Sequence, residues 1–116
     1  MNESRAAAFA RIPYEGPPEW REPVLEALAR VVDPEIALTI VDVGLVYGER
    51  LHDRIAANLL TTASAACPLA DSIADDVESE LMQVLPAGWA VDLELTWTPE
   101  WTPERMSPAA RKFMGW

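Results

Sequence analysis

The stretch Thr61-Thr62-Ala63-Ser64-Ala65-Ala66-Cys67-Pro68-Leu69 constrains the fold most, because the hydrophobic period changes there. Arg54–Thr62 before it reads as a strand, and Pro68 to Leu85 after it reads as a helix. Leu69, Ile73, Val77, Leu81 and Leu85 recur every four residues, and Asp71, Asp75, Asp76, Glu78 and Glu80 supply a solvated face. Proline favours the first position of a helix, where its missing N–H is not needed. Cys67, the one cysteine of the chain, therefore falls at or beside the helix N-cap. A sulfur there faces unpaired backbone N–H groups and the positive end of the helix dipole. Both favour the thiolate, a better nucleophile and metal ligand than the thiol. The acidic first turn opposes that ionisation. A buried cysteine acting as a small apolar side chain suits the flanking Ala65 and Ala66 equally well.

The other segments are placed by their own punctuation. Residues 1–18 read as an N-terminal extension, extended or loose, with a helical turn at Ala6–Arg11; residues 19–116 read as a single domain. Glu19 to Val32 is a helix whose Val24, Leu25, Leu28, Val31 and Val32 share one face, with Pro23 fitting only in its first turn. Asp33-Pro34 ends it, since the residue before proline leaves the α region. Gly44 breaks the next segment, and Asp42 and Gly44 shape the backbone into a strand over Leu45–Arg50. His52-Asp53 turns the chain, and Arg54–Thr62 returns as the second strand of a hairpin, with one face more apolar than the other. After Pro86-Ala87-Gly88, Trp89–Thr96 alternates, with Val91, Leu93 and Leu95 on one side. Trp-Thr-Pro-Glu then occurs twice, at Trp97 and Trp101, and its prolines exclude a regular helix or central strand. Ser107-Pro108 opens a last helix, Pro108–Met114, which Gly115 stops.

The formal net charge is -10, which repels phosphate backbones and anionic membranes, so nucleic acid and membrane are not expected partners. No apolar run is long enough to span a bilayer, no basic and apolar leader opens the chain, and one cysteine forms no internal disulfide. The reading is a cytoplasmic protein.

Four words stand in order along the chain: Asp33-Pro34-Glu35; Ile40-Val41-Asp42-Val43-Gly44-Leu45-Val46-Tyr47; Thr61-Thr62 leading to Cys67-Pro68; and Pro99-Glu100-Trp101-Thr102-Pro103-Glu104-Arg105-Met106-Ser107. Together they resemble the iron–sulfur assembly domain shared by SufT-type proteins, PaaD-type accessory proteins and the eukaryotic cytosolic iron–sulfur targeting factor, over about Val24 to Trp116. The resemblance implies an α/β (α+β) two-layer fold, a small mixed sheet with helices packed on one side. With the elements above, that is a three-stranded sheet in the order α-β-β-α-β plus a short C-terminal helix. It also implies an accessory factor that builds or delivers iron–sulfur clusters, with Cys67 in the place of the family's reactive cysteine. Asp33, Glu35, Thr61 and Thr62 match the words around that pocket. The loop departs from the family in reading Ala63-Ser64-Ala65-Ala66 where a proline is common.

Clusters and tetrahedral metal sites usually take four sulfur or nitrogen ligands, and this chain offers one thiol and one imidazole. A transient cluster or iron on Cys67, completed by a partner protein, small thiols or a homodimer, is therefore expected rather than a permanent cofactor. His52 sits at the hairpin turn and reads as a surface residue, while Asp before proline at Asp33 is most simply a turn residue. Trp97 is expected to pack over the sheet; Trp101 and Arg105 are candidates for partner docking, since Trp and Arg are enriched at binding hot spots. Three functions remain: a maturation factor acting through Cys67 on a client metalloenzyme with the iron–sulfur assembly machinery, an interaction module of an oxygenase or SUF-type complex, and a cysteine-dependent thiol enzyme. The last lacks a well-placed histidine base.

Overall fold

The computed structural model describes residues 3–62 and 70–115, the side chains of Ala70 and Asp71 aside. A mixed sheet is covered on one face by helices, as the resemblance implies. The elements run α1 (Glu3–Ala10), β1 (Tyr14–Glu15), α2 (Pro18–Leu28), β2 (Val32–Asp33), β3 (Leu38–Thr39), α3 (Ile40–Val43), β4 (Val46–His52), β5 (Ile55–Leu60), α4 (Ala70–Val84), β6 (Ala90–Leu95) and α5 (Pro108–Met114), with a 3₁₀ turn at Pro103–Arg105 before α5.

The main sheet has four strands in the order β1-β4-β5-β6, one more than expected. β4 and β5 form the antiparallel hairpin; β6 runs parallel to β5, and β1 runs parallel to β4. The added strand is two residues long, and Glu49 N–H donates to Pro13 O at 2.9 Å beside it. A two-residue strand carries no period, so only its distant partner β4 reveals it. β2 and β3 pair separately as a two-stranded antiparallel ribbon. That ribbon ends α2 at Leu28, short of Val32, because Val32 pairs with Thr39. Val32 consequently stands 45% exposed instead of joining the apolar face of the helix.

The N-terminal extension is not loose. α1 is a full helix over Glu3–Ala10 that buries Ala8 and Phe9 in the core. α2 begins at Pro18, so Pro23 lies inside it rather than in its first turn. The core fills the space between the helices and one sheet face. Val24, Leu25, Leu28 and Val31 meet Ile73, Val77, Leu81 and Leu85 there, as their spacing predicts.

Which row of β5 faces that core differs from the simplest reading. Ala56, Asn58 and Leu60 are buried, while the more apolar row of Ile55, Ala57 and Leu59 faces outward. On β4 a register shift between Val46 and Gly48 brings Glu49 and Leu51 onto the buried face with Val46.

The tail after β6 is tied back across the sheet end. Trp101 Nε1–H donates to Val43 O at 2.9 Å, the Tyr47 hydroxyl to Pro99 O at 2.8 Å, and Ser107 N–H to Asp42 O at 2.8 Å. Gly44, at φ +85°, caps α3; a Cβ there would lie 2.3 Å from Arg105 O, so glycine is required twice over. Ser107 caps α5 by accepting from Ala110 N–H at 3.2 Å, and Gly115 closes it at φ +75°, both as expected.

Candidate functional site

β5 ends by delivering Thr61 and Thr62 to a half-enclosed cavity of about 140 Å³. Leu60 forms its floor with the threonines, Ile73 and Ala74 of α4 close one wall, and Leu93 and Leu95 of β6 the other. Thr61 N–H is committed to Leu45 O at 2.9 Å, which fixes the strand end. Thr61 is 3% exposed, and its hydroxyl oxygen has no hydrogen-bond partner among the described residues. A buried hydroxyl without a partner costs free energy, so this one is available to a ligand group or to a neighbouring segment. The chain between Thr62 and Ala70 links the end of β5 to α4 in sequence, and Cys67 lies in it, outside the described residues.

The other expected pocket residues are placed elsewhere. Asp33 is 3% exposed, and its carboxylate accepts from Glu35 N–H at 2.9 Å while its carbonyl accepts from Ala37 N–H at 2.7 Å. These bonds build the β2–β3 turn, the structural role that an aspartate before proline suggests. Glu35 points its side chain into solvent. Neither residue lines the cavity of Thr61 and Thr62. His52 is exposed, as expected, but it is the last residue of β4 rather than part of the turn, which is Asp53-Arg54; its Nε2 lies 3.1 Å from the Asp53 carboxylate. No group of three or more His, Cys, Asp or Glu side chains among the described residues is arranged to hold a metal.

The tail residues divide differently from expectation. Trp97 does not pack; it is 49% exposed beyond the end of β6. Trp101 is the one packed against the core, held by its bond to Val43 O. Arg105 stacks over Tyr47 with its guanidinium carbon 4.3 Å from the ring centroid. Trp101 can be pinned because its indole N–H meets the Val43 carbonyl at the end of the short helix α3, while Trp97 follows the edge strand β6 and stays half exposed.

Two buried polar residues escaped the sequence reading. Glu49 on β4 and Asn58 on β5 are register partners on the buried face, 3% and 2% exposed. Asn58 Nδ2 donates to Ala56 O at 3.1 Å and Asp92 O at 3.0 Å, but its Oδ1 and both Glu49 carboxyl oxygens have no partner among the described residues. Burial pushes the Glu49 carboxyl up to about 9, so it is neutral at pH 7. A protonated carboxyl carries a donor as well as an acceptor and no charge to bury. The signal was present in Asn58, which interrupts an apolar row; the bulge that turns Glu49 inward was not.

The fold and the cavity define a single α/β unit with a threonine-lined pocket where a strand gives way to a helix. Residues 21–94 match the family described as "Iron-sulfur cluster assembly protein", and the chain belongs to that family. It is 36% identical over 96 residues to the Fe-S protein maturation auxiliary factor YitW of Bacillus subtilis, covering 82% of this chain and 93% of that protein. It is 33% identical over 86 residues to the Fe-S protein maturation auxiliary factor SufT of Staphylococcus aureus, covering 73% and 97%. Among solved structures, a domain of unknown function from Bacillus anthracis superposes with a TM-score of 0.76 at 33% identity, covering 81% of this chain and 90% of that one. A conserved hypothetical protein from Thermotoga maritima does so with a TM-score of 0.69 at 41% identity, covering 82% and 93%.

Proposed function

We propose that this protein is an accessory factor that receives an iron–sulfur unit on Cys67 and passes it to a client metalloenzyme. The relatives named as maturation factors support the general role. The observation that supports the site is the cavity at the end of β5, where the Thr61 hydroxyl is buried with no partner among the described residues, six residues before Cys67 in the sequence. The cluster is cargo. On loading, the Cys67 thiol loses its proton to solvent and the thiolate takes a ligand position on iron; on transfer, a client thiolate displaces it. Both steps are ligand exchange, with no net electron transfer. One thiol is too few to hold a cluster alone, which suits a carrier that must also let go. The remaining ligands come from the client, the assembly machinery or small thiols, and the tail around Trp101 and Arg105 is one surface through which such partners dock.

The test replaces Cys67 with Ser and follows cluster loading of iron–sulfur enzymes in cells depleted of the natural protein. Loading falls while the fold, by circular dichroism, is unchanged. Full client loading by Cys67→Ser would remove the basis of this reading.

A further inference from the structure

β6 lies at one edge of the main sheet and is paired to β5 alone. Ala90 N–H donates to Arg54 O at 2.9 Å and Thr96 N–H to Leu60 O at 2.8 Å. Backbone polar groups alternate sides along a strand, so the even-numbered residues of β6 turn theirs towards β5. The N–H and C=O groups of Val91, Leu93 and Leu95 therefore point to the free edge. The strand is six residues long, contains no proline and keeps an unbroken register with β5. No strand among the described residues pairs with that edge. An edge of this kind is a template for an added strand.

Its side chains specify the occupant. Leu93 and Leu95 stand on the helix-covered face and wall the cavity of Thr61 and Thr62, with Leu95 still 47% exposed. Asp92 and Glu94 stand on the opposite face, exposed, beside an open groove floored by Ala57 and Leu59. A second copy of the chain is a poor partner. Antiparallel self-pairing about Leu93 sets Asp92 of one copy opposite Glu94 of the other, and sliding the register sets Asp92 or Glu94 against itself. Like charges directly opposite one another destabilise a strand pair. The same two carboxylates favour a strand with basic residues at alternate positions.

We propose that β6 receives an extended segment of the client protein, with Lys or Arg opposite Asp92 and Glu94 and its intervening side chains over Leu93 and Leu95. Only the identity of the partner as a client rests on the maturation reading. The added strand runs alongside Leu93 and Leu95, which line the cavity, and brings a side chain of the client towards Thr61 and Thr62. A client residue so placed supplies a ligand that this chain lacks.

The test titrates the isotope-labelled full-length protein with a short synthetic peptide alternating Lys with Val, and with its counterpart carrying Glu for Lys. The lysine peptide slows amide exchange at Val91, Leu93 and Leu95, and the glutamate peptide does not. Asp92→Lys with Glu94→Lys weakens the lysine peptide by about tenfold. Asp75→Lys with Glu78→Lys, the same charge change on the exposed face of α4, leaves it unchanged. Leu95→Pro, which removes one outward N–H and keeps the ladder to β5, also weakens it. Absence of protection at the three amides, or equal loss from the α4 pair, overturns the proposal. The titration needs no iron, so peptide binding with client loading intact in Cys67→Ser refutes the maturation reading and leaves the edge site standing.

Discussion

Replacing Glu49 with glutamine keeps the shape of the side chain and removes its ionisation, and the consequence can be worked out from its burial. The carboxyl titrates at about 9 in the folded chain against 4.5 in the unfolded one. A pKa raised by folding means that the native state holds the extra proton between those values. Its contribution is fully present below the unfolded pKa and is lost as pH rises towards the folded one. Across that window the loss is about 1.4 kcal/mol per pH unit, or about 2.7 kcal/mol between pH 6 and pH 8. Against the roughly 5–15 kcal/mol that holds a domain folded, this is a large share. Glu49→Gln has no such slope, so its stability relative to the parent chain should rise by about 2.7 kcal/mol over the same interval. Other titrating groups are common to both chains and cancel in the difference. Urea unfolding followed by tryptophan fluorescence at pH 6, 7 and 8 measures it directly. A difference that does not change with pH would mean that Glu49 ionises within the fold and has found a donor there.

Further substitutions probe the pieces separately. Gly44→Ala meets a left-handed backbone and the Arg105 carbonyl at once, and should cost about 3 kcal/mol or more in urea unfolding. Trp101→Phe loses the bond to Val43 O, costing about 1–2 kcal/mol, and limited proteolysis should then cut the tail faster. Ser107→Ala removes the α5 cap, at about 1 kcal/mol by thermal unfolding. Thr61→Val deletes a buried hydroxyl without a partner among the described residues, so stability should hold or rise by about 1 kcal/mol while client loading falls; loading at the parent level would detach Thr61 from function.

Legibility in the sequence followed the range of the interaction. Periodic and capped elements were plain: the Ile73–Val77–Leu81–Leu85 stripe, the β4–β5 hairpin, whose turn falls at Asp53-Arg54, one residue later than His52-Asp53, and the Ser107 and Gly115 caps are each decided within one or two turns of chain. Elements made by distant partners were not. β1 exists because β4 passes beside Tyr14 and Glu15, and the β2–β3 ribbon shortens α2 because Thr39 returns to Val32. The face of β5 could not be taken from hydrophobicity alone. Its apolar row of Ile55, Ala57 and Leu59 lies on the open side, and the row carrying Asn58 goes inside. Within the site, Thr61 and Thr62 were legible because a strand leading into a helix must leave its last residues at the sheet end. The same logic could not bring Asp33 and Glu35 to them, since those residues belong to a turn with bonds of its own. Leu93 and Leu95 line the same pocket from β6, the edge strand, so a strand added there as proposed lies beside Thr61 and Thr62.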